Sequence, residues 1–213
     1  PSDAVFLTDL QAFAGHMVVA EREAGQKYIR VRRMADGAEH RIDFDEPDYD
    51  VDLAMNADFG SSFVRLHYTS LATPATVLDY DFESRERTVR KVQEIPSGYD
   101  RDAYVTEREM APSPDGTLVS IVRRKDTPLD GTAPLYLYAY GSYGHAIDPY
   151  FSTARLSLLD RGWIFALAHP RGGSEMGRAW YEAGKMAHKA NTFSDVVACG
   201  RHLARTGHTA DGN

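Results

Sequence analysis

The sequence predicts an antiparallel β half of propeller-like blades, followed by an α/β half with a mixed, mostly parallel sheet and flanking helices. Short strand-like runs recur in the first half with a period of 47–48 residues. Two near-continuous apolar runs, LYLYAY and WIFALA, follow in the second half, each ahead of a glycine-rich loop. Helix-type patterns follow each run, as in α/β proteins. We therefore assign residues 1–104 to blades and residues 105–213 to the α/β domain.

The composition is that of a folded protein and excludes several classes of partner. The 213 residues are 43% hydrophobic and 26% charged. No apolar run is long enough to span a membrane. Residues 1–105 hold 20 acidic and 12 basic side chains, and this excess of negative charge argues against nucleic acid as a partner. The single cysteine, Cys199, excludes an intrachain disulfide.

The repeat in the first half consists of two similar units. The first reads MVVAERE, YIRVRRM and EHRIDF, and the second reads VRLHYTS, TVLDYDF and RTVRKV. Several strands per unit at this period are typical of a β-propeller, in which each blade needs neighbours to cover its faces. A plain antiparallel meander is the alternative.

A strongly acidic segment, Asp43–Asp52, follows the first unit and holds six carboxylates in ten residues. A calcium-binding EF-hand loop needs Gly at position six and Glu at position twelve. Those positions hold Asp48 and Ala54. The segment is therefore interpreted as an acidic loop between blades.

The second half predicts strands over residues 118–122, 135–140 and 163–168. Helices are predicted over 152–160, from Ser174 to about Met186, and from a capping box of Thr192 and Asp195 to about residue 205. Chemistry in such sheets gathers beyond the carboxyl ends of strands, which points to the loops after Tyr140 and Ala168.

A nucleophilic serine and a metal site are not predicted. The nearest match to the G-x-S-x-G elbow is GGSEM, where Met176 is too bulky for the last glycine, so Ser174 is interpreted as a helix cap. The eight histidines show no pairing at metal-ligand spacing, and His169 is expected to pack rather than to catalyse. No cofactor is expected.

The strings LYLYAYGSYG, AIDPYFSTARLSLLDRGW, HPRGGSEMGRAWYEAGK and NTFSD resemble the prolyl oligopeptidase family of serine peptidases, and within it the oligopeptidase B (protease II) group. The resemblance covers residues 135–207, and the blade-like half is similar to the last part of that family's propeller. It implies an α/β-hydrolase portion preceded by the last blades of a β-propeller. It also implies a cytoplasmic serine endopeptidase that hydrolyses short peptides after Lys or Arg.

The resemblance places the catalytic triad outside these residues. The family's serine lies one strand beyond the helix that starts at Thr192, and its aspartate and histidine follow later. The 213 residues alone are therefore expected to be inactive and to need the remainder of the catalytic domain. Two other readings stay open: a prolyl oligopeptidase with Pro specificity, and a non-catalytic propeller-bearing peptide-binding module.

Three site residues are carried over from the family. Tyr140, which ends the strand before the first glycine-rich loop, is expected to donate its hydroxyl to the oxyanion. Asp148 and Tyr150 are expected to bind a basic substrate residue, because an Asp-x-Asp pair in this loop serves that purpose in the oligopeptidase B group. The second acid is here a tyrosine, which can stack on a guanidinium. The alternatives are a structural hydrogen bond for Tyr140 and a turn cap for Asp148.

Overall fold

The computed structural model describes residues 5–113 and 116–210, which form three four-stranded sheets. The first two sheets are antiparallel meanders whose strands lie side by side in chain order. Sheet one contains β1 (Val5–Ala12), β2 (His16–Glu23), β3 (Gln26–Arg33) and β4 (Glu39–Arg41). Sheet two contains β5 (Asp50–Leu53), β6 (Phe63–Thr69), β7 (Thr76–Asp81) and β8 (Arg87–Val92).

The third sheet has a crossed strand order and carries the helices. Its strands are β9 (Tyr104–Ala111), β10 (Thr117–Arg124), β11 (Leu135–Ala139) and β12 (Ile164–Ala168), in the order β11-β12-β10-β9. Only β11 and β12 run parallel. The helices are α1 (Thr153–Leu159), α2 (Arg178–Glu182) and α3 (Ala190–Arg205), with short 3-10 turns at Arg101–Ala103 and Met186–His188.

Alternating side chains explain the two blade-like sheets. In β6, Val64, Leu66 and Tyr68 are buried and His67 is exposed, which is the pattern of a strand with one covered face. The buried faces of both sheets join in one apolar cluster. Each unit has four strands rather than the three read from the sequence, since β1 and β5 lie ahead of the first run read in each unit.

Two helix predictions are corrected by the structure. The helix expected from Ser174 to Met186 is reduced to α2, which begins after Gly177 in a left-handed conformation (φ +89°) with no side-chain cap. Helix α3 begins at Ala190, so Thr192 is inside it. Thr192 and Asp195 therefore form no capping box, and both bind the loop after β12 instead.

The two halves of the chain share a buried interface. Leu71 and Ala72, from the turn between β6 and β7, pack in one cluster with Phe151, Leu156 and other side chains of the α/β half. The backbone N–H of Phe151 donates to Thr69 Oγ1 at 3.1 Å. In the part of the chain that the structure describes, no helix is long and apolar enough to cross a membrane.

Candidate functional site

Tyr140 lies directly after β11, at the end of the sheet where β12 also finishes. Its side chain is 43% exposed, and its ring lies perpendicular to the His145 ring, with 5.9 Å between the ring centroids. Among residues 5–113 and 116–210, its hydroxyl has no hydrogen-bond partner. The structure therefore places a free phenol hydroxyl just beyond the carboxyl end of β11.

The loops that follow β11 and β12 touch each other through glycine backbone. Gly141 and Gly172 both have positive φ, at +61° and +101°. A Cβ on Gly172 would lie 2.2 Å from the Gly141 carbonyl oxygen, closer than any side chain can come. Gly144 N–H also donates to Gly172 O at 2.9 Å. The backbone after Tyr140 is therefore fixed by a contact that only glycine allows.

Helix α3 anchors both loops at its N-terminal end. Thr192 Oγ1 donates to the Arg171 carbonyl at 2.6 Å. Lys189 Nζ donates to Ser142 Oγ at 2.6 Å and also to the Gly141 carbonyl. The loop that carries Tyr140 is therefore tied to a helix rather than left to solvent.

A buried ion pair holds the second loop. Asp195 of α3 is fully buried, and its two oxygens accept from Arg171 Nε at 2.9 Å, from Arg171 Nη2 at 2.7 Å and from the Arg171 backbone N–H at 2.9 Å. A bidentate arginine–carboxylate pair fixes geometry in two directions. Sequence reasoning missed this pair because the partners lie 24 residues apart on different elements.

Asp148 does not face open solvent but binds two cations from the first sheet. Its Oδ1 lies 2.7 Å from Arg22 Nη2 and its Oδ2 lies 3.1 Å from Lys27 Nζ. Burial opposes the ionisation of Asp148, but attraction to Arg22 and Lys27 outweighs it and lowers the pKa of the carboxyl below its usual value. Asp148 therefore stays charged and connects the α/β half to the blades.

Lys27 brings two further acids to the same point. Its Nζ lies 2.7 Å from Asp50 Oδ1 and 2.9 Å from Asp52 Oδ2, both in β5. Burial and repulsion by Asp148 raise the pKa of Asp50 to about 6, against the attraction of Lys27. The acidic segment predicted as a loop between blades is therefore partly a strand, and it lies where the two halves meet.

Tyr150 lines a cavity of about 400 Å³, together with residues of α1. Arg155, buried in the wall of this cavity, donates from Nη1 to the Tyr150 carbonyl at 2.8 Å, and its guanidinium lies 3.9 Å from the centre of the Phe165 ring. Burial lowers the pKa of Arg155 to about 10. The Tyr150 side chain is 54% exposed, and the Arg155 guanidinium carbon lies over its ring, 5.3 Å from the centroid.

His169, which the sequence analysis expected to pack, belongs to a buried polar group next to these loops. His169 Nε2 and Ser120 Oγ are 2.8 Å apart, and both side chains are buried. Glu175 Oε1 accepts from the Ile147 backbone N–H at 3.0 Å and lies 3.8 Å from His169 Nδ1. Asp48 is buried nearby, and its pKa is raised by burial. These groups are enclosed, so they hold the loops in place.

Comparison with known families agrees with this two-part architecture. The sequence profile described as "Prolyl oligopeptidase, N-terminal beta-propeller domain" matches residues 1–93. The profile described as "Prolyl oligopeptidase family" matches residues 149–213. Together they cover most of the chain, one in each half.

Individual relatives match almost the whole chain. Dipeptidyl aminopeptidase BI of Pseudoxanthomonas mexicana is 46% identical over 98% of this chain and 29% of its own length. Protease 2 of Moraxella lacunata is 37% identical over 96% of this chain and 30% of its own length. The structure of oligopeptidase B from Leishmania major is 38% identical with a TM-score of 0.85, over 98% of this chain and 31% of that one. The chain thus spans about a third of the length of these relatives.

Proposed function

Because the chain belongs to the prolyl oligopeptidase family, whose architecture of propeller blades followed by an α/β-hydrolase portion it shares, we propose that it is part of a serine oligopeptidase that hydrolyses short peptides after Lys or Arg. The similarity to protease 2 and to oligopeptidase B supports this substrate class over Pro-containing peptides. The triad is supplied by the remainder of the catalytic domain, the enzyme needs no cofactor, and it works in the cytoplasm.

Tyr140 is the observation that carries the proposal. Peptide hydrolysis passes through a tetrahedral intermediate whose oxyanion needs a preorganised donor. The Tyr140 hydroxyl is exposed at the carboxyl edge of the sheet, and the loop behind it is fixed by Gly141, Gly172 and Lys189. A donor held by a rigid loop loses little entropy when the oxyanion forms, which is the condition for electrostatic stabilisation of the transition state.

The test is a Tyr140→Phe variant of the full-length protein, assayed with a chromogenic peptide that has Arg before the scissile bond. We expect kcat to fall about 100- to 1,000-fold, the usual effect of removing one oxyanion donor, with little change in KM. Tyr138→Phe, two residues earlier and within β11, is the matched control and should keep kcat. If Tyr140→Phe keeps the wild-type kcat, Tyr140 is not the oxyanion donor.

Asp148 and Tyr150 are proposed to bind a basic residue of the peptide. The Tyr150 ring is exposed; Arg155 already lies over it at 5.3 Å, so a substrate guanidinium would stack on the opposite face. Asp148 would bind the basic residue through Oδ2, which now lies 3.1 Å from Lys27 Nζ. Its Oδ1 would keep the 2.7 Å contact with Arg22 when the peptide binds. Tyr150→Ala is expected to raise KM for peptides with two consecutive basic residues more than for peptides with one.

A second candidate activity is the removal of dipeptides from a free amino terminus. It is favoured by the 46% identity with a dipeptidyl aminopeptidase. The two activities separate when the same dibasic chromogenic dipeptide is offered with a free and with a blocked amino terminus. Preference for the free form identifies a dipeptidyl aminopeptidase, and preference for the blocked form identifies an endopeptidase. Cleavage confined to Pro-containing peptides would contradict the Lys/Arg substrate class. Cell fractionation tests the cytoplasmic location.

A further inference from the structure

We propose that Glu107, Glu109 and His208 form a binding site for one divalent transition-metal ion of the zinc type. Glu107 Oε2 lies 3.2 Å from His208 Nε2, and Glu109 Oε1 lies 3.9 Å from the same nitrogen. One atom from each residue lies within 4.8 Å of the other two. Ligand atoms of a tetrahedral Zn²⁺ site with bonds near 2.0–2.1 Å are about 3.3 Å apart, so the pair of Glu107 and His208 has this spacing and Glu109 must move closer when the ion binds.

Two separate elements bring these ligands together. Glu107 and Glu109 are two residues apart in β9, so their side chains leave the same face of the strand. His208 follows α3 after Gly207, whose φ of +82° turns the chain back towards β9. A Cβ on Gly207 would lie 2.6 Å from the Leu129 carbonyl oxygen, so this turn needs glycine. The ligands are about 100 residues apart in sequence, which is why a search for paired histidines predicted no metal site.

Each proposed ligand is oriented by a partner on its other polar atom. Arg123 Nη2 donates to Glu107 Oε1 at 2.6 Å. His202 Nε2 lies 2.6 Å from Glu109 Oε2. Ligands in metal sites are held in this way by an outer set of hydrogen bonds. The inner oxygens, Glu107 Oε2 and Glu109 Oε1, are left facing His208.

The histidine has a matching arrangement. Thr206 Oγ1 lies 2.8 Å from His208 Nδ1 and 3.0 Å from the His202 carbonyl oxygen. A hydroxyl has one hydrogen, and when Thr206 donates it to the carbonyl, its oxygen can accept only from Nδ1–H of His208. The lone pair of a neutral His208 is then on Nε2, towards the two carboxylates. This is the tautomer that a metal ligand needs.

The cluster can hold either a proton or a metal ion. His208 is 2% exposed, and its Nε2 lies within hydrogen-bond distance of Glu107 Oε2 at 3.2 Å, so a proton on Nε2 joins the two when no metal is bound. When Nε2 is unprotonated, its lone pair and the two carboxylate oxygens are acceptors without a donor between them, and a metal ion can take the place of that proton. An imidazole with two carboxylates suits a borderline ion such as Zn²⁺, and three protein ligands leave one position for water. Both glutamates are about a quarter exposed, which gives the ion a path from solvent.

A metal ion here would join the edge strand β9 to the segment that follows α3. The test is isothermal titration calorimetry, in which Zn²⁺ is added to the chelator-treated full-length protein. We expect the wild-type protein to bind one more equivalent than Glu109→Gln or His208→Ala. Thr206→Val, which alters only the outer hydrogen bond, should bind at least tenfold more weakly, as outer-shell changes typically do. His188→Ala, at an exposed histidine, is the matched control and should bind as the wild type does.

Two results would overturn the proposal. One is a wild-type protein that binds no more Zn²⁺ than Glu109→Gln. The other is binding that Thr206→Val and Glu109→Gln both leave unchanged. Because His208→Ala can fail to fold, circular dichroism accompanies each variant, and the isosteric Glu109→Gln decides the outcome in that case. The visible absorption of bound Co²⁺ gives a second readout, since only coordination by the protein produces intense bands.

Discussion

Arg22 and Asp148 meet at 2.7 Å across the boundary between the blades and the α/β half. The Arg22 side chain is buried and Asp148 is largely so, which separates this contact from an ordinary surface ion pair. Lys27 adds a second cation at 3.1 Å. Asp148, whose proposed role is at the substrate, therefore also holds the two halves together.

Removal of the Asp148 charge should weaken the interface between the halves. Asp148→Asn leaves Arg22 buried with its charge uncompensated, and the loss of one partner from such a pair typically destabilises a protein by about 3–5 kcal/mol. The measurement is thermal unfolding of the full-length protein. Glu83→Gln, at an exposed carboxylate, is the control and should leave the melting temperature unchanged. Equal melting temperatures for both variants would contradict the assigned interface.

Asp50 should make the stability of the interface depend on pH. Its pKa is raised to about 6 in the folded protein from 3.8, mainly by burial. The folded state therefore holds this proton more tightly than the unfolded state, and the resulting stability is lost as pH rises from about 4 through 6. In Asp50→Asn, the melting temperature should depend less on pH over this range than it does in the wild-type protein. A wild-type profile that the substitution leaves unaltered would contradict the prediction.

The contact between Gly141 and Gly172 should tolerate no side chain. Gly172→Ala would place a Cβ 2.2 Å from the Gly141 oxygen, so the loop that carries Tyr140 must move. We expect loss of most peptidase activity in the full-length enzyme. Gly144→Ala is the matched control, because Gly144 also has positive φ (+66°) but its Cβ would meet the Tyr181 ring at 3.4 Å. Comparable losses in both variants would mean that backbone strain, and not the close approach, decides the effect.

Breaking the pair between Arg171 and Asp195 should destabilise the α/β half. Asp195→Asn keeps the size of the side chain and removes the charge that receives three hydrogen bonds from Arg171. The expected loss is about 3 kcal/mol, typical for one partner of a buried ion pair. Chemical denaturation with a probe in the α/β half measures it. Ser194→Ala, one residue earlier and exposed, should cost much less.

The Cys199 thiol should be inert in the folded protein. It is fully buried, and burial, with a smaller contribution from Asp195, raises its pKa to about 12. Only the thiolate alkylates readily, so iodoacetamide at pH 8 should label Cys199 after denaturation and not before. Mass spectrometry of the peptide that contains Cys199 reads the result. Rapid labelling of the native protein would mean that α3 opens easily.

Local patterns in the sequence predicted the two-part architecture and most of the central strands, and a resemblance of motif strings pointed to the family. The period of 47–48 residues and the buried runs at β11 and β12 are local signals, and a face that alternates or a run that is fully apolar can be read without knowledge of its neighbours. Strands β5 and β9 were not predicted because charged residues interrupt their apolar pattern, and β1 was not predicted because its apolar residues do not alternate regularly. The helix predicted from Ser174 failed because Gly177 and the 3-10 turn at Met186 interrupt it.

Tertiary structure alone decided which charges meet. Thr192 and Asp195 have the spacing of a capping box, yet both form hydrogen bonds with Arg171, because the loop after β12 packs against α3. The sequence predicts Asp148 to bind substrate or to cap a turn, and only the packing of the blades places Arg22 and Lys27 beside it. An ion pair between distant elements depends on how whole sheets pack, and a linear pattern does not contain that information.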